Sequence, residues 1–226
     1  MTGNEKSISS RVLLLLGLAL SRVGPAWCQA ETLGQTRNRI DSFNADKQET
    51  TFGYLVTDAL RSVTKADLAI INASSFVPGS LNPGDISSDQ LKSLFNIPED
   101  KLVVAELSGQ VIRRMFERSL SVYPTPNDGF LHVSGLRITF DPRRAAESRV
   151  VKIETTSGVG AALDPSKTYR VATSTTLGRG GLGYFKIVGP NPKISRMDLT
   201  MLEAVKQFLR KSGPIQYGPE RRITPT

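Results

Sequence analysis

One histidine and one cysteine in 226 residues set the first limits on what this chain can do. Hydrolytic centres that hold two metal ions through imidazoles need several histidines, and zinc sites built from Cys and His need several of both. His132 and Cys28 alone supply neither. Carboxylate-only metal sites are not excluded by composition. A Ser-His-Asp triad would have to use His132, and no Gly-x-Ser-x-Gly segment exists to raise a nucleophilic serine. His132 lies inside an apolar run and reads as an ordinary strand histidine. A lone cysteine closes no intrachain disulfide. Long apolar runs are also missing: Val12 to Leu20 has nine residues, whereas a bilayer span takes about 20.

That short run has the layout of an export signal. Lys6 and Arg11 precede it, and Cys28-Gln29-Ala30 offers a small-x-small cleavage site. Cleavage after Ala30, or alternatively after Cys28, is expected to leave residues 31–226 as one secreted or periplasmic domain with no membrane attachment. Bulky Trp27 ahead of Cys28 argues against lipidation there. Gly and Pro, at 19 and 13 residues, are near average usage, so the chain reads as globular. Its 29 basic and 21 acidic residues give a net charge of +8. The excess reads as a solubilising surface or, alternatively, as attraction for an anionic ligand such as phosphate. Lys and Arg are scattered and not interleaved with aromatics, so nucleic acid is not an expected partner.

Hydrophobic spacing predicts the elements. Residues 31–48 are polar and read as a lead-in strand and loop. Phe52, Leu55, Val56, Ala59 and Leu60 recur at helical spacing, predicting a helix from Thr50 to Val63. Leu68 to Ile71 reads as a buried strand, and Pro78-Gly79 with Asn82-Pro83-Gly84 as a long loop. Ser87 or Ser88 caps a short helix ending near Phe95, Leu102 to Leu107 is a strand, and Ser108 opens a helix carrying Val111, Ile112, Met115, Phe116 and Leu120. Phe130 to Val133 and Leu136 to Phe140 read as a hairpin around Ser134-Gly135. Strands at Val150 to Glu154 and Tyr169 to Ser174 and a final helix from Asp198 to Lys211 complete a mixed α and β pattern. Gly178-Arg-Gly180-Gly181-Leu-Gly183-Tyr184 is the one glycine-rich segment. It marks a tight turn or lets backbone amides approach a phosphate, and it lacks the Lys-Ser/Thr of a P-loop.

Glu49-Thr-Thr-Phe-Gly-Tyr-Leu-Val-Thr-Asp58, then Ala66 to Asn72, Pro83-Gly84-Asp85-Ile86, Ser93-Leu-Phe95, Leu102 to Ile112, Gly129 to Asp141, Tyr169-Arg-Val-Ala-Thr and Leu177 to Tyr184 occur in an order that resembles the C-terminal, substrate-binding domain of the 5′-nucleotidases. The landmarks span residues 46–187, and Pro219 to Ile223 resembles the way such domains end. The resemblance implies a single α/β domain with mixed sheets in a layered α/β/β/α arrangement. It also implies a ligand-facing edge at Asn72, Phe95, Ser134, Gly135, Gly180 and Gly181, and a role in nucleotide catabolism.

The family's pocket is only partly present. Where the nucleotidases carry two arginines, this chain has Asp46 and Val77. Phe95 matches one of the two aromatics that hold the base, and Thr176 replaces the other. Leu182 replaces the ribose-binding aspartate. Hydrogen bonds to charged groups contribute about 1.5–3 kcal/mol each, so two lost arginines weaken nucleotide binding by roughly 10²- to 10⁴-fold. The resemblance assigns this chain no catalytic residue, metal ligand or cofactor. Divalent metals are expected only in a separate metallophosphatase subunit, with a nucleotide or other phosphorylated small molecule as ligand. The alternative is a degenerate binding or interaction module for a non-nucleotide ligand.

Overall fold

A computed structural model describes residues 31–157 and 160–226, so the export signal read at residues 1–30 lies outside the described residues. No helix among the described residues is long and apolar enough to cross a membrane.

The chain begins with β1 (Thr32–Thr36) and β2 (Ile40–Asp41), then α1 (Thr51–Thr64) and β3 (Leu68–Asn72). A 3-10 turn (Ala73–Ser75) leads to β4 (Ser80–Leu81), β5 (Gly84–Ser87) and α2 (Ser88–Lys92). Next come β6 (Lys101–Ser108), α3 (Gly109–Leu120), β7 (Leu131–Ser134), β8 (Leu136–Phe140) and β9 (Val150–Thr155). The last part holds β10 (Thr168–Ser174), α4 (Thr175–Gly178), α5 (Phe185–Val188), β11 (Ile194–Thr200), α6 (Met201–Lys211) and β12 (Ile223–Pro225).

Local chemistry explains the main boundaries. Thr50, Ser87 and Ser108 accept from backbone N–H groups in the first turns of α1, α2 and α3, satisfying donors that have no intrahelical partner. Lys65 closes α1 in the left-handed conformation. The central sheet runs β11-β6-β10-β3-β7, with β3 and β10 parallel and the other neighbours antiparallel. Every residue of β3 is buried, as a strand covered on both faces must be. A second sheet, β12-β8-β9, and two short pairs, β1-β5 and β2-β4, complete the mixed α/β domain. α1 lies against β3, β7 and β10 with α6 packed on it, and α3 bridges β6 and β9. One apolar core includes residues from Leu33 to Ile223.

Three sequence expectations need correction. β7 and β8 do not form a hairpin, because β7 pairs with β3 and β8 with β9. β7 is buried throughout, whereas β8 alternates, and Gly135 at φ +92° turns the chain from one sheet to the other. A Cβ there would lie 2.8 Å from the Asp67 carbonyl oxygen, so glycine is required at this corner. The last helix starts at Met201 and not Asp198; Thr200 and Glu203 form a capping box, and Asp198 and Leu199 belong to β11. The loop expected over 78–84 holds β4 and the start of β5.

The C-terminal segment is locked onto α1 by polar contacts. Arg222 donates to both carboxylate oxygens of Asp58 at 2.9 and 2.8 Å and to the Val133 carbonyl at 2.8 Å, and it lies over the Tyr54 ring. Glu49 Oε2 accepts the backbone N–H groups of Arg222 and Ile223 at 2.8 and 2.7 Å, and the Tyr54 hydroxyl donates to the Glu220 carbonyl. Burial outweighs these donors and pushes the Glu49 carboxyl from 4.5 up to about 7. Burial also pulls His132 down from 6.5 to about 4.

The two groups act on stability in opposite directions. The folded state holds the Glu49 proton up to about pH 7 while the unfolded chain releases it near 4.5, so this contribution falls as pH rises through that window. His132 stays neutral when folded, so its contribution is present above 6.5 and is lost as pH falls towards 4. Glu49→Gln keeps a carbonyl oxygen for the two N–H donors and removes one side of this balance. In urea titrations across pH 4 to 8, the variant is expected to gain stability with rising pH more steeply than the wild type between 4.5 and 7. The difference should be on the order of 2 kcal/mol.

Candidate functional site

Because β3 and β10 are parallel, their carboxyl ends lie together at one edge of the central sheet, where ligands of open α/β sheets collect. Three loops converge there. The 3-10 turn after β3 is held on one side by Ala73 N–H donating to the Phe130 carbonyl (2.8 Å) and Ser74 N–H to the Asp128 carbonyl (3.1 Å). On the other side Asn96 donates to the carbonyls of Ser74 and Ser75. The glycine-rich loop joins through the Tyr184 hydroxyl, which donates to the Gly129 carbonyl. A cleft of about 380 Å³ opens between the turn and residues 42–46, lined by Ser42, Phe43, Asp46, Ser74, Pro78 and Asp128 among others.

The sequence-derived ligand edge is divided between two places. Asn72 sits at this edge, where its amide donates to Ser74 Oγ at 2.6 Å and its carbonyl accepts from Ser75 Oγ at 3.4 Å. Both ends of its side chain therefore shape the turn. Gly180 and Gly181 lie in the neighbouring loop, and their N–H groups already donate to the carbonyls of Leu177 and Thr176 at 2.8 and 2.9 Å. Those amides are spent on the turn and are not offered to a phosphate. Phe95 is 3% exposed, edge-on to Phe52 at 5.3 Å and bridged to Phe76, so its ring is a core element and not an open stacking platform. Ser134 and Gly135 are at the opposite end of β7, since Asn72 pairs with Leu131 and Ala69 with Ser134. The length of β7 separates them from the cleft, roughly 10 Å.

His132 has a positioning role that spacing did not reveal. Its Nε2 lies 3.0 Å from the Ala45 carbonyl, which only accepts, so Nε2 carries the proton. Nδ1 is buried with no hydrogen-bond partner among the described residues. It faces Gly53, where a Cβ would stand 2.2 Å away. The buried imidazole thus anchors the 42–46 loop that walls the cleft. Electrostatically the cleft is acidic: Asp46 and Asp128 line it and no Lys or Arg does. Arg39 stands behind, stacked over Phe43 at 5.5 Å.

Comparison with known proteins places this architecture. A family model described as "5'-nucleotidase, C-terminal domain" matches residues 29–189. The chain belongs to the 5′-nucleotidase C-terminal domain family. It is 32% identical over 170 residues to a 5'-nucleotidase-related protein of Glossina morsitans morsitans, covering 71% of this chain and 30% of that protein. It is also 32% identical over 143 residues to the trifunctional nucleotide phosphoesterase protein YfkN of Bacillus subtilis, covering 61% of this chain and 10% of that protein. The crystal structure of a 5'-nucleotidase precursor from Thermus thermophilus superposes with a TM-score of 0.80 at 25% identity, over 86% of this chain and 39% of the other. The chain therefore spans well under half the length of these relatives.

Of the positions where the resemblance implied ligand contacts and this sequence differs, Asp46 lines the cleft, and Val77, next to the lining residue Pro78, is 37% exposed. Thr176 donates its hydroxyl to Asp100, whose carboxyl burial pushes up, and Leu182 adopts φ +58° against the core. Since Phe95 is enclosed, Phe95→Ala is expected to lower folding stability by about 3–5 kcal/mol, as loss of a buried ring does. Denaturant unfolding measures this. A variant of near wild-type stability with weakened ligand binding would instead make Phe95 a contact residue.

Proposed function

We propose that this chain is an exported substrate-recognition domain of a 5′-nucleotidase-type phosphoester hydrolase, whose catalytic metals are supplied by a separate metallophosphatase polypeptide. The observation that carries the reading is the family match over residues 29–189 in a chain with one histidine. Among the described residues no group of three or more His, Cys, Asp or Glu is placed to hold a metal ion. A docking face for the partner fits the same edge of the sheet. Phe43, which lines the cleft, and Val77, Ile97 and Phe185, which follow the 3-10 turn, Asn96 and the glycine-rich loop, are 41, 37, 53 and 56% exposed. Asn72 and the Gly180-Gly181 turn shape the ligand edge in this reading.

A second reading, a degenerate module for a non-nucleotide ligand, is favoured by one specific feature. Carboxylates at Asp46 and Asp128 repel a phosphate and accept hydrogen bonds from hydroxyls, so the cleft suits a neutral polyol or sugar.

Titration calorimetry with AMP, adenosine and neutral sugars separates the two, alongside size-exclusion chromatography with a metallophosphatase domain. The first reading predicts a complex with that domain and millimolar or weaker affinity for AMP by the isolated chain. It also predicts that Phe43→Ser with Phe185→Ser weakens the complex at least tenfold. No complex, together with tighter binding of a neutral sugar than of AMP, would replace it with the second reading.

A further inference from the structure

The opposite end of the domain carries a second cleft of different character. About 170 Å³ in volume, it lies where α1, the Gly135 corner and the C-terminal segment meet, lined by Asp58, Arg61, Ser134, Arg137, Thr156 and Arg221 among others. A shallower hollow shares Asp58, Arg61 and Ser134 with it and adds Lys65.

The charges here do not cancel. Asp58 is fully engaged by Arg222, whose guanidinium also reaches the carbonyl of Val133 and the hydroxyl of Thr57. That pair contributes no net charge. Glu154, opposite Arg137 across the β8-β9 ladder, is taken by Lys152 at 2.8 Å. Arg61 uses only Nε, donating to the Asp67 carbonyl at 2.9 Å. Among the described residues, Arg137 and Arg221 make no side-chain hydrogen bond or ion pair, and neither do the hydroxyls of Ser134 and Thr156. Three guanidinium groups thus face one unmatched carboxylate, that of Glu220. The Gly135 corner is what allows this: a Cβ there would stand 3.1 Å from Arg61 Nε.

We propose that this cleft binds a tetrahedral oxyanion, the phosphate or sulfate group of a small molecule, through Arg61, Arg137 and Arg221 with the hydroxyls of Ser134 and Thr156. Planar guanidinium forks match the edges of such an anion and hold it by paired, charge-assisted hydrogen bonds. The volume suits one anionic group and not a drug-sized ligand, whose pockets run from about 300 Å³ upwards. The site stands apart from the acidic cleft at the carboxyl ends of β3 and β10, and it does not depend on the function proposed for that edge. It also gives Ser134 and Gly135 a ligand-facing place separate from Asn72 and the glycine-rich loop.

The test is an amide-detected NMR titration of the protein with inorganic phosphate and, separately, sulfate, each against sodium chloride at matched ionic strength. Saturable shifts are expected at Gly135, Leu136, Arg137, Thr156 and Arg221, with residues 73–77 and 180–183 unmoved. Arg137→Gln combined with Arg221→Gln, both exposed positions, should weaken binding at least tenfold while leaving the rest of the spectrum dispersed as in the wild type. Glu220→Gln should tighten binding. Phosphate and sulfate binding alike supports a general oxyanion site, and phosphate alone narrows it to phosphorylated ligands. Equal shifts from chloride, undiminished affinity in the double variant, or shifts confined to residues 73–77 and 180–183 would overturn the proposal.

Discussion

The contact on which the rest of this domain depends is the guanidinium of Arg222 inserted between α1 and β7. It satisfies both oxygens of Asp58 and a β7 carbonyl while lying on the Tyr54 ring. Its backbone, with that of Ile223, is held by Glu49 just ahead of α1. Half-buried charges of this kind stabilise only when their hydrogen bonds are complete, and removing one partner leaves the other uncompensated. The consequence is geometric. β12 is placed beside β8, so the second sheet gains its third strand from the last residues of the described chain. The cleft with Arg61, Arg137 and Arg221 then forms against the fixed tail.

Two buried titratable groups near this junction link fold to surface. Glu49 ties the tail, and His132, which feels the same Arg222 charge, ties the 42–46 loop. The domain thus presents two edges of opposite electrostatic sign: an apolar-rimmed, acidic cleft beyond β3 and β10, and a basic cleft at the Gly135 corner. Under the function proposed above, one edge would serve docking and ligand selection and the other would take an anion.

Much of the fold was legible because its signals are local. The period of Phe52, Leu55, Val56, Ala59 and Leu60 and the caps at Ser87 and Ser108 report helices within a few residues of sequence. Thr200 with Glu203 carries an equally local signal for the start of α6, which apolar spacing alone overruns to Asp198. The β7-β8 hairpin failed for a different reason. A two-residue spacer with glycine is ambiguous between a tight turn and a corner between sheets, and only the partners β3 and β9 decide it. The site was less legible still. Phe95 has the look of a ligand platform because nothing in the sequence shows Phe52 packing edge-on against its ring while its backbone bridges to Phe76. Glu49 and Arg222 are 173 residues apart, so no spacing rule connects them. Family order supplied the architecture, and side-chain chemistry at the departing positions, Asp46 and Val77, had to be read from the structure.

The central proposal is that this polypeptide supplies recognition while another supplies the metals for turnover, its one imidazole and one thiol being too few for an imidazole-held two-metal centre. Phosphate release from AMP by the purified chain, with Mn²⁺ or Zn²⁺ supplied, tests it most directly. The account predicts background release from the chain alone and a rise on adding a metallophosphatase domain, above that domain's own rate. Sustained metal-dependent turnover by the chain alone, co-eluting with it through successive columns, would contradict it.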